Sequence, residues 1–269
     1  MTATVTTGPA VRQARSVTPL VAVSDIAAIA KRNLLHIART PQLLVFSTIQ
    51  PVMFVLLFRY VFGGAIKTPG SSYVDFLMAG IFVQTTLFGG ASTAVGLAED
   101  LRGGIVDRFR SLPMARSAVL AGRTFADLAR NVLVLALMVI VATGVGFRFH
   151  NGPVPDLGAM IVVLAFGYAF SWVFAYVGLV VKEPETAQVA GFIPLFPLVF
   201  ASSAFVPVQS MPGWLQGFAN VQPVSVTVNA TRALTQGGPI YHWLWQMVLW
   251  TILILVVFIP LAVSRYRRI

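Results

Sequence analysis

Six apolar runs of about 20 residues each constrain this chain more than any other feature of its sequence. The hydrocarbon core of a bilayer is about 30 Å thick, and an α-helix needs about 20 residues to cross it. No run shows the long alternation of a membrane β-barrel strand. The sequence therefore predicts an all-α membrane protein with six spans, which are Leu43–Phe62, Val74–Leu97, Leu128–Phe147, Leu157–Val181, Val189–Val206 and His242–Val263.

The balance of residue types supports this prediction. Hydrophobic residues make up 57% of the 269 positions and charged residues only 10%, whereas soluble domains carry about 25% charged residues. A soluble globular domain, a disordered chain and a nucleic-acid-binding protein are therefore disfavoured, despite the net charge of +10. The chain contains no cysteine, so disulfides and cysteine-ligated metals are excluded. We expect no nucleic acid partner and no metal site.

The basic residues are sorted between the two ends of the runs. Fourteen of the 19 Lys and Arg residues lie in the N-terminal tail, in the loops after the second and fourth runs, or in the C-terminal tail. Loops on the cytoplasmic side of membrane proteins carry an excess of Lys and Arg. The chain is therefore predicted to be a multi-pass protein of the cell membrane with both termini in the cytoplasm, where the basic residues also attract anionic membrane lipids.

The N-terminal region divides into a tail and a predicted amphipathic helix. We interpret residues 1–23 as a disordered cytoplasmic tail and residues 24–269 as one six-span domain. Ser24 and Asp25 resemble a helix start, and apolar residues such as Ile29 then recur at helical spacing opposite Lys31 and Arg32. The pattern favours a helix lying on the inner leaflet. The alternative is a cytoplasmic helix with no membrane role.

The loop between the second and third runs is the most charged part of the chain. Ile105, Phe109 and Leu112 are spaced for one face of a short helix that Pro113 ends. Such a helix is too short to be stable alone, so the pattern predicts a partner surface. The alternative is a solvated connecting loop. The candidate contact residues are Glu99, Asp100, Arg102, Asp107, Phe109, Arg110 and Pro113.

The segment between the fifth and sixth runs, residues 207–239, is too apolar for a plain loop and too interrupted by Pro and Gly for a span. Trp favours the membrane interface, and the segment carries Trp214. We predict two short helices that dip into the outer leaflet, with an interfacial loop as the alternative. The residues proposed to cap the bundle are Met211, Pro212, Trp214, Asn229 and Arg232.

Two spans carry aromatic faces that suit a lipophilic, planar or amphipathic substrate. The candidate path residues are Phe82, Gln84, Phe88, Phe192, Phe196 and Phe200. The alternative is that these rings face lipid or pack between helices.

Charged residues near the span ends are a separate set. Arg59 and Asp75 lie near the outer ends of the first two spans, so we predict an ion pair between them; the alternative is that Arg59 snorkels to the interface. Asp127 and Arg130 are interpreted as boundary charges at the inner start of the third span.

Three stretches resemble the integral-membrane permease family of type-2 ABC exporters, of the daunorubicin-resistance type. They are Tyr60-Val-Phe-Gly-Gly, the Glu99–Pro113 loop followed by Ala121-Gly-Arg, and a final group comprising Phe205-Val-Pro, Met211-Pro-Gly-Trp-Leu-Gln, Gln222-Pro-Val-Ser and Asn229-Ala-Thr-Arg. Their order and their spacing among six spans make the resemblance specific.

The resemblance implies that the Glu99–Pro113 stretch is a coupling helix that docks on a separate ATP-binding cassette subunit. The chain itself contains no G-x-x-x-x-G-K-[ST] sequence, which is the loop that cradles nucleotide phosphates. ATP and Mg²⁺ are therefore expected in the partner, and the chain is not expected to be an enzyme. A second permease copy, either identical or a related paralogue, would complete the transporter.

The resemblance also implies export of an amphipathic drug-like or lipid-like substrate by alternating access. A polysaccharide or lipid-linked glycan is the alternative cargo within the same family. An ATP-independent secondary transporter is a further alternative. It is disfavoured because the span centres contain no Asp, Glu or His.

Overall fold

The computed structural model describes residues 41–64, 72–104 and 116–268, together with positions 27, 29, 30, 32, 33, 35, 66 and 68. Secondary structure in these residues is helical, without strands. The predicted tail of residues 1–23 lies outside the described residues. The α-helices are α1 (Pro41–Leu57), α2 (Tyr73–Arg102), α3 (Arg116–Val145), α4 (Pro153–Val181), α5 (Pro184–Phe200), α6 (Gly213–Val221), α7 (Pro223–Gln236) and α8 (Ile240–Arg268).

Four helices of the described chain are long and apolar enough to cross a membrane. They are α2, α4, α8 and the Val119–Val145 part of α3, and they correspond to the second, fourth, sixth and third apolar runs. The first run is also helical, and the fifth is helical only as far as Phe200, since residues 201–206 form turns and bends. The helices α1 and α5 have 17 residues each. Helix α1 continues into one π-helical turn, Phe58–Phe62, and α5 contains Pro194 and Pro197. The chain is thus a multi-pass helical membrane protein.

Helix α2 is the centre of the bundle. In its most apolar stretch 89% of the residues are buried, compared with 22% in α8. It packs against α3, α4, α5 and α7. Close approach depends on small residues: a Cβ atom on Gly178 of α4 would lie 3.0 Å from the Cα of Ala94, and one on Gly90 would lie 2.9 Å from the ring of Phe174. Small residues allow helices to approach closely in membranes.

The segment between α5 and α8 forms two short helices, α6 and α7, as the breaks in the sequence predict. A 3₁₀ turn, Val208–Ser210, precedes them. Gln222 separates the two helices and caps α7, because its side chain accepts a hydrogen bond from the Val224 amide at 2.9 Å. Helix α6 is largely exposed, and Trp214 is 80% exposed. Helix α7 is largely buried and packs against α2, α4 and α8.

Candidate functional site

A cleft of about 730 Å³ runs beside the central helix α2. Residues of α1, α3 and α5 complete its walls, together with Arg32 and Asn33 of the N-terminal region. Its α2 residues extend from Gln84 to Asp100, which is about 24 Å along a helix axis. The cleft therefore follows α2 over much of the thickness of an apolar membrane core.

The two ends of the cleft differ in chemistry. Arg32, Glu99, Asp100 and Arg123 line the end where α2 leads into the 103–115 loop. The opposite end of the α2 wall carries Gln84, Thr85 and Phe88, and Asp127 and Arg130 line the stretch between the two ends. The neighbouring helices add Gln50 of α1 and Gln188 and Phe192 of α5. An amphipathic molecule can place its polar part against the amides and its apolar part against the rings.

The aromatic wall of the cleft is formed by rings from two helices. The Phe88 ring of α2 lies 5.3 Å from the Phe192 ring and 5.7 Å from the Phe196 ring of α5. The wall continues along α5, where Phe196 and Phe200 stack at 5.5 Å. The structure thus brings together four of the predicted path residues. Of these rings, Phe88 and Phe192 line the cleft itself.

Phe82 was predicted to belong to the same path, but its side chain is buried in the core. Its ring meets the ring of Phe147 edge-on at 5.7 Å. The reason is helical geometry: six residues correspond to about 600° of rotation, so Phe82 and Phe88 project from different faces of α2. Phe82 therefore serves packing, which corrects the prediction.

Gln84 is the polar residue of the aromatic end with the most unusual environment. Its side chain is 97% buried, and Oε1 has no hydrogen-bond partner. A buried polar atom without a partner costs about 1–3 kcal/mol. A bound molecule with a hydroxyl or amine donor would remove that cost. Among the described residues, no three His, Asp or Glu side chains are grouped to hold a metal ion.

The charged end of the cleft is tied together by Asp100. Its Oδ2 accepts from Arg123 of α3 at 3.0 Å and from Arg32 at 3.4 Å. Glu99 and Arg102 are exposed next to this cluster. The other predicted contact residues of the loop, which are Asp107, Phe109, Arg110 and Pro113, lie outside the described residues. The cluster therefore joins the end of α2 to the first turns of α3, the two helices that the 103–115 segment connects.

Asp127 and Arg130 are not boundary charges. Asp127 is 96% buried and accepts from the Thr93 hydroxyl at 2.6 Å. Arg130 lies 3.7 Å from Asp127 and donates to the Gly89 carbonyl and the Ser92 hydroxyl. The interpretation was wrong because α3 begins at Arg116, about three turns before Asp127. The i, i+3, i+4 spacing of Asp127, Arg130 and Asn131 is the sequence signal for a shared polar face.

The predicted ion pair between Arg59 and Asp75 is not formed. Asp75 accepts from the Ser72 hydroxyl at 2.7 Å and from the Arg148 backbone amide at 3.1 Å. Arg59 is exposed in the π-helical turn after α1. Ser72 caps the start of α2 by accepting from the Asp75 amide at 3.2 Å. The carboxylate of Asp75 holds this cap residue and the chain after α3, which leaves Arg59 outside the arrangement.

Among the predicted cap residues, Arg232 has the richest set of contacts. Its guanidinium donates to Asn229 Oδ1 at 2.8 Å, to the Ser203 carbonyl at 2.9 Å and to the Phe76 carbonyl at 3.1 Å. The guanidinium carbon also lies 3.6 Å from the centre of the Phe76 ring, a cation–π contact. Burial lowers the pKa of Arg232 to about 9, so the group is charged at pH 7.

The predicted cap thus divides into two parts. Asn229 and Arg232 belong to α7 and bind it to α2 and to the turn after α5. Met211, Pro212 and Trp214 lie on the exposed segment around α6, where Trp214 and Pro212 are exposed and Met211 is half-buried.

Comparison with known proteins agrees with this architecture. The ABC-2 type transporter family matches residues 24–235. The "Daunorubicin resistance ABC transporter permease protein DrrB1" of Streptomyces coeruleorubidus is 34% identical over 237 residues, covering 88% of this chain and 84% of that protein.

Two mycobacterial proteins are also similar. The "Probable doxorubicin resistance ABC transporter permease protein DrrC" of Mycobacterium tuberculosis is 29% identical over 220 residues, covering 81% of this chain and 79% of that protein. The "Doxorubicin resistance ABC transporter permease protein DrrB" of the same species is 28% identical over 183 residues, covering 68% and 63% respectively. The family match extends over most of the chain, and the first of these relatives is more than 30% identical to it over most of both chains. The chain therefore belongs to the ABC-2 type transporter family of membrane permeases.

Proposed function

We propose that this chain is the membrane subunit of an ATP-driven exporter that moves an amphipathic, drug-like or lipid-like molecule out across the cell membrane. Membership of the ABC-2 family and relatives named for drug resistance support this assignment. The observation that carries it is the cleft beside α2, which has amides and aromatic rings at one end and the attachment of the loop at the other.

The energy source in this proposal is a separate ATP-binding cassette subunit that binds ATP and Mg²⁺. Its contact is the 99–113 segment, whose described residues Glu99 and Arg102 are exposed. Asp100 holds the base of that segment against Arg123 and Arg32. A movement imposed on the segment would therefore reach α2 and α3 and change access to the cleft from one side of the membrane to the other.

The proposed topology has six spans with both termini in the cytoplasm. Helix α1 and its π-helical turn together cover Pro41 to Phe62, a length of about 33 Å at 1.5 Å per residue. Helix α5 has 17 residues, about 26 Å, and can cross if its prolines or a thinner local bilayer accommodate the mismatch. Helices α6 and α7 then lie at the outer leaflet and cap the path. A second permease copy would enclose the path together with α2 and α5 of this chain.

The decisive experiment combines the purified chain with the ATP-binding subunit that co-purifies with it. In proteoliposomes, daunorubicin should raise the rate of ATP hydrolysis, and ATP should drive accumulation of the fluorescent drug in inverted vesicles. Accumulation that depends on an ion gradient and not on ATP would contradict the proposal. Stimulation by a lipid-linked glycan but not by daunorubicin or a lipid would overturn the substrate class while leaving the ATP-driven permease in place.

A further inference from the structure

The facing sides of α2 and α3 carry four successive polar contacts, which we call the α2–α3 polar zipper. From the loop end they are Asp100 with Arg123, Thr93 with Asp127, Ser92 and Gly89 with Arg130, and the Thr86 carbonyl with Asn131. The order on α2 is the reverse of the order on α3, as expected for antiparallel helices. Each contact joins one helix to the other, and none depends on the loop between them.

Glycines on α2 provide the space for this zipper. A Cβ atom on Gly96 would overlap the guanidinium of Arg123. One on Gly89 would lie 2.5 Å from Asn131 Oδ1 and 3.4 Å from Arg130 Nη2. The two glycines are seven residues apart, which is about two turns, so they lie on the same face of α2. The polar side chains of α3 therefore fit directly against the backbone of α2.

Burying a row of polar and charged side chains between two apolar helices costs desolvation free energy. Buried ion pairs often add little net stability, because desolvation offsets the attraction, and charged residues at membrane depth are rare. Their best-attested effect is to fix registry, since a polar group displaced from its partner is left unpaired in an apolar surrounding. Two apolar helices can shift along each other without losing a hydrogen bond, whereas a shift of α2 along α3 would break all four polar contacts.

The zipper also forms one wall of the cleft. Arg123, Asp127 and Arg130 line the cleft together with Gly89, Ser92 and Asp100 of α2. The opposing wall comes from α5 through Gln188 and Phe192. The contacts between α2 and α5 are of a different kind, since they are made by aromatic rings and small residues such as Ala91 and Gly191.

We propose that Asp127 and Arg130 are positioning residues, and that the α2–α3 polar zipper locks the two helices into one rigid lever. This lever carries the 103–115 loop at one end and a wall of the cleft along its length, and the cleft opens between the lever and α5. The proposal rests on the proposed function for its transport role, whereas the locking of α2 to α3 is a property of the chain alone.

The locking is tested first by thermal melting of the purified chain. Thr93→Val removes the α2 hydroxyl that donates to Asp127 of α3, and Asp127→Asn removes the charge that accepts it, so each single variant should melt about 5 °C or more below the parent. Because both changes weaken the same contact between the two helices, the loss in the double variant should be clearly smaller than the sum of the two single losses. A double variant whose loss equals that sum would overturn the zipper, because the two residues would then act independently.

The lever is tested by disulfides, for which the cysteine-free chain offers a clean background. Gly89→Cys with Asn131→Cys replaces the Asn131 contact of the zipper by a covalent link between α2 and α3, since a Cβ on Gly89 would lie 3.5 Å from Asn131 Cγ, the position that the cysteine sulfur takes. The other zipper side chains stay in place, and the reduced form of the same variant is the reference. Ala91→Cys with Gly191→Cys links α2 to α5, where a Cβ on Gly191 would lie 3.8 Å from the Cβ of Ala91, the usual disulfide separation. The readout is daunorubicin-stimulated ATP hydrolysis by the complex before and after reduction.

The lever predicts opposite results for the two disulfides. The oxidised α2–α3 pair should keep at least half of the stimulation of its reduced form, whereas the oxidised α2–α5 pair should lose it about tenfold and regain it on reduction. A loss in the α2–α3 pair that reduction reverses would overturn the lever, and so would full activity of the α2–α5 pair. If the parent complex shows no stimulation, the proposed function fails, and the melting experiment alone decides whether α2 and α3 are locked.

Discussion

Nη1 of Arg123 lies 3.0 Å from Oδ2 of Asp100, and this contact joins the end of α2 to the first turns of α3. The two side chains are only 19% and 15% exposed, so solvent screens their attraction less than it screens a surface pair. The 103–115 segment, which contains most of the proposed contact with the ATP-binding subunit, begins three residues after Asp100. The pair therefore holds that loop to the bundle on both of its flanks.

Asp100→Asn should weaken this attachment. The variant keeps the shape of the side chain but removes the charge that attracts Arg123 and Arg32, so the melting temperature should fall by about 2–5 °C. Stimulation of ATP hydrolysis should fall by several fold while membrane insertion is unchanged. Glu185→Gln is the matched control, because it also removes one carboxylate charge, at an exposed position in the first turn of α5 and outside the proposed contact segment. Equal losses in the two variants would show that general charge, and not this contact, matters.

Phe82→Ala and Phe192→Ala should have separable effects. Phe82 is fully buried in the core, and its truncation leaves a cavity that costs about 3–5 kcal/mol, so the melting temperature should fall strongly. Phe192 lines the cleft, so its truncation should raise the daunorubicin concentration for half-maximal stimulation by about tenfold, with a smaller effect on melting. A selective loss of drug response in Phe82→Ala would reinstate it as a path residue.

The contrast between these two rings shows where sequence reasoning succeeds and where it fails. Long apolar runs predict α2, α3, α4 and α8 because the bilayer imposes a length. The same runs do not show which side of a helix lines the cleft. Helix α2 is buried on nearly all sides, so its sequence lacks the 3.6-residue alternation of apolar and polar residues that would distinguish an inner from an outer face. Phe82 and Phe88 therefore look equivalent in sequence. Asp127 and Arg130 were misplaced because a helix can begin well before its apolar run.

Gln84→Leu tests the unpartnered oxygen at the aromatic end of the cleft. Replacing the amide removes a buried acceptor that has no partner, so the melting temperature should stay the same or rise slightly. The concentration of daunorubicin for half-maximal stimulation should rise about 5–10-fold, because the drug loses a hydrogen bond. Ser171→Ala is the control, since Ser171 is buried on α4 and bonds to its own helix. Lower stability with unchanged drug response would assign Gln84 to structure.

Arg232→Met should loosen α7 from α2. The change leaves the Phe76 and Ser203 carbonyls without the donor that the structure shows, so we expect melting about 5–10 °C lower. Arg148→Gln, at an exposed arginine that bonds to nearby carbonyls, should change melting little.

The pH dependence of Arg232 has a defined sign. Its pKa is lowered to about 9 in the folded chain and is higher in the unfolded chain. From pH 6 to 8 both states are protonated, so this group should leave stability constant. Above pH 9 the folded state loses the Arg232 proton before the unfolded state does. The contribution of Arg232 to the free energy of unfolding should therefore increase as the pH rises. Melting of the parent and of Arg232→Met between pH 6 and 10 compares the two directly.

Trp214→Cys tests the orientation of the bundle. Trp214 is 80% exposed on α6, and the chain has no other thiol, so a membrane-impermeant maleimide reports only on this position. In intact cells the reagent should label Trp214→Cys and should label Arg268→Cys only after the membrane is opened, because the C-terminal residues are proposed to be cytoplasmic. If Arg268→Cys but not Trp214→Cys is labelled in intact cells, the orientation is the reverse of the one proposed. If both are labelled, the two positions lie on the same side of the membrane, which contradicts the single span α8 proposed between them.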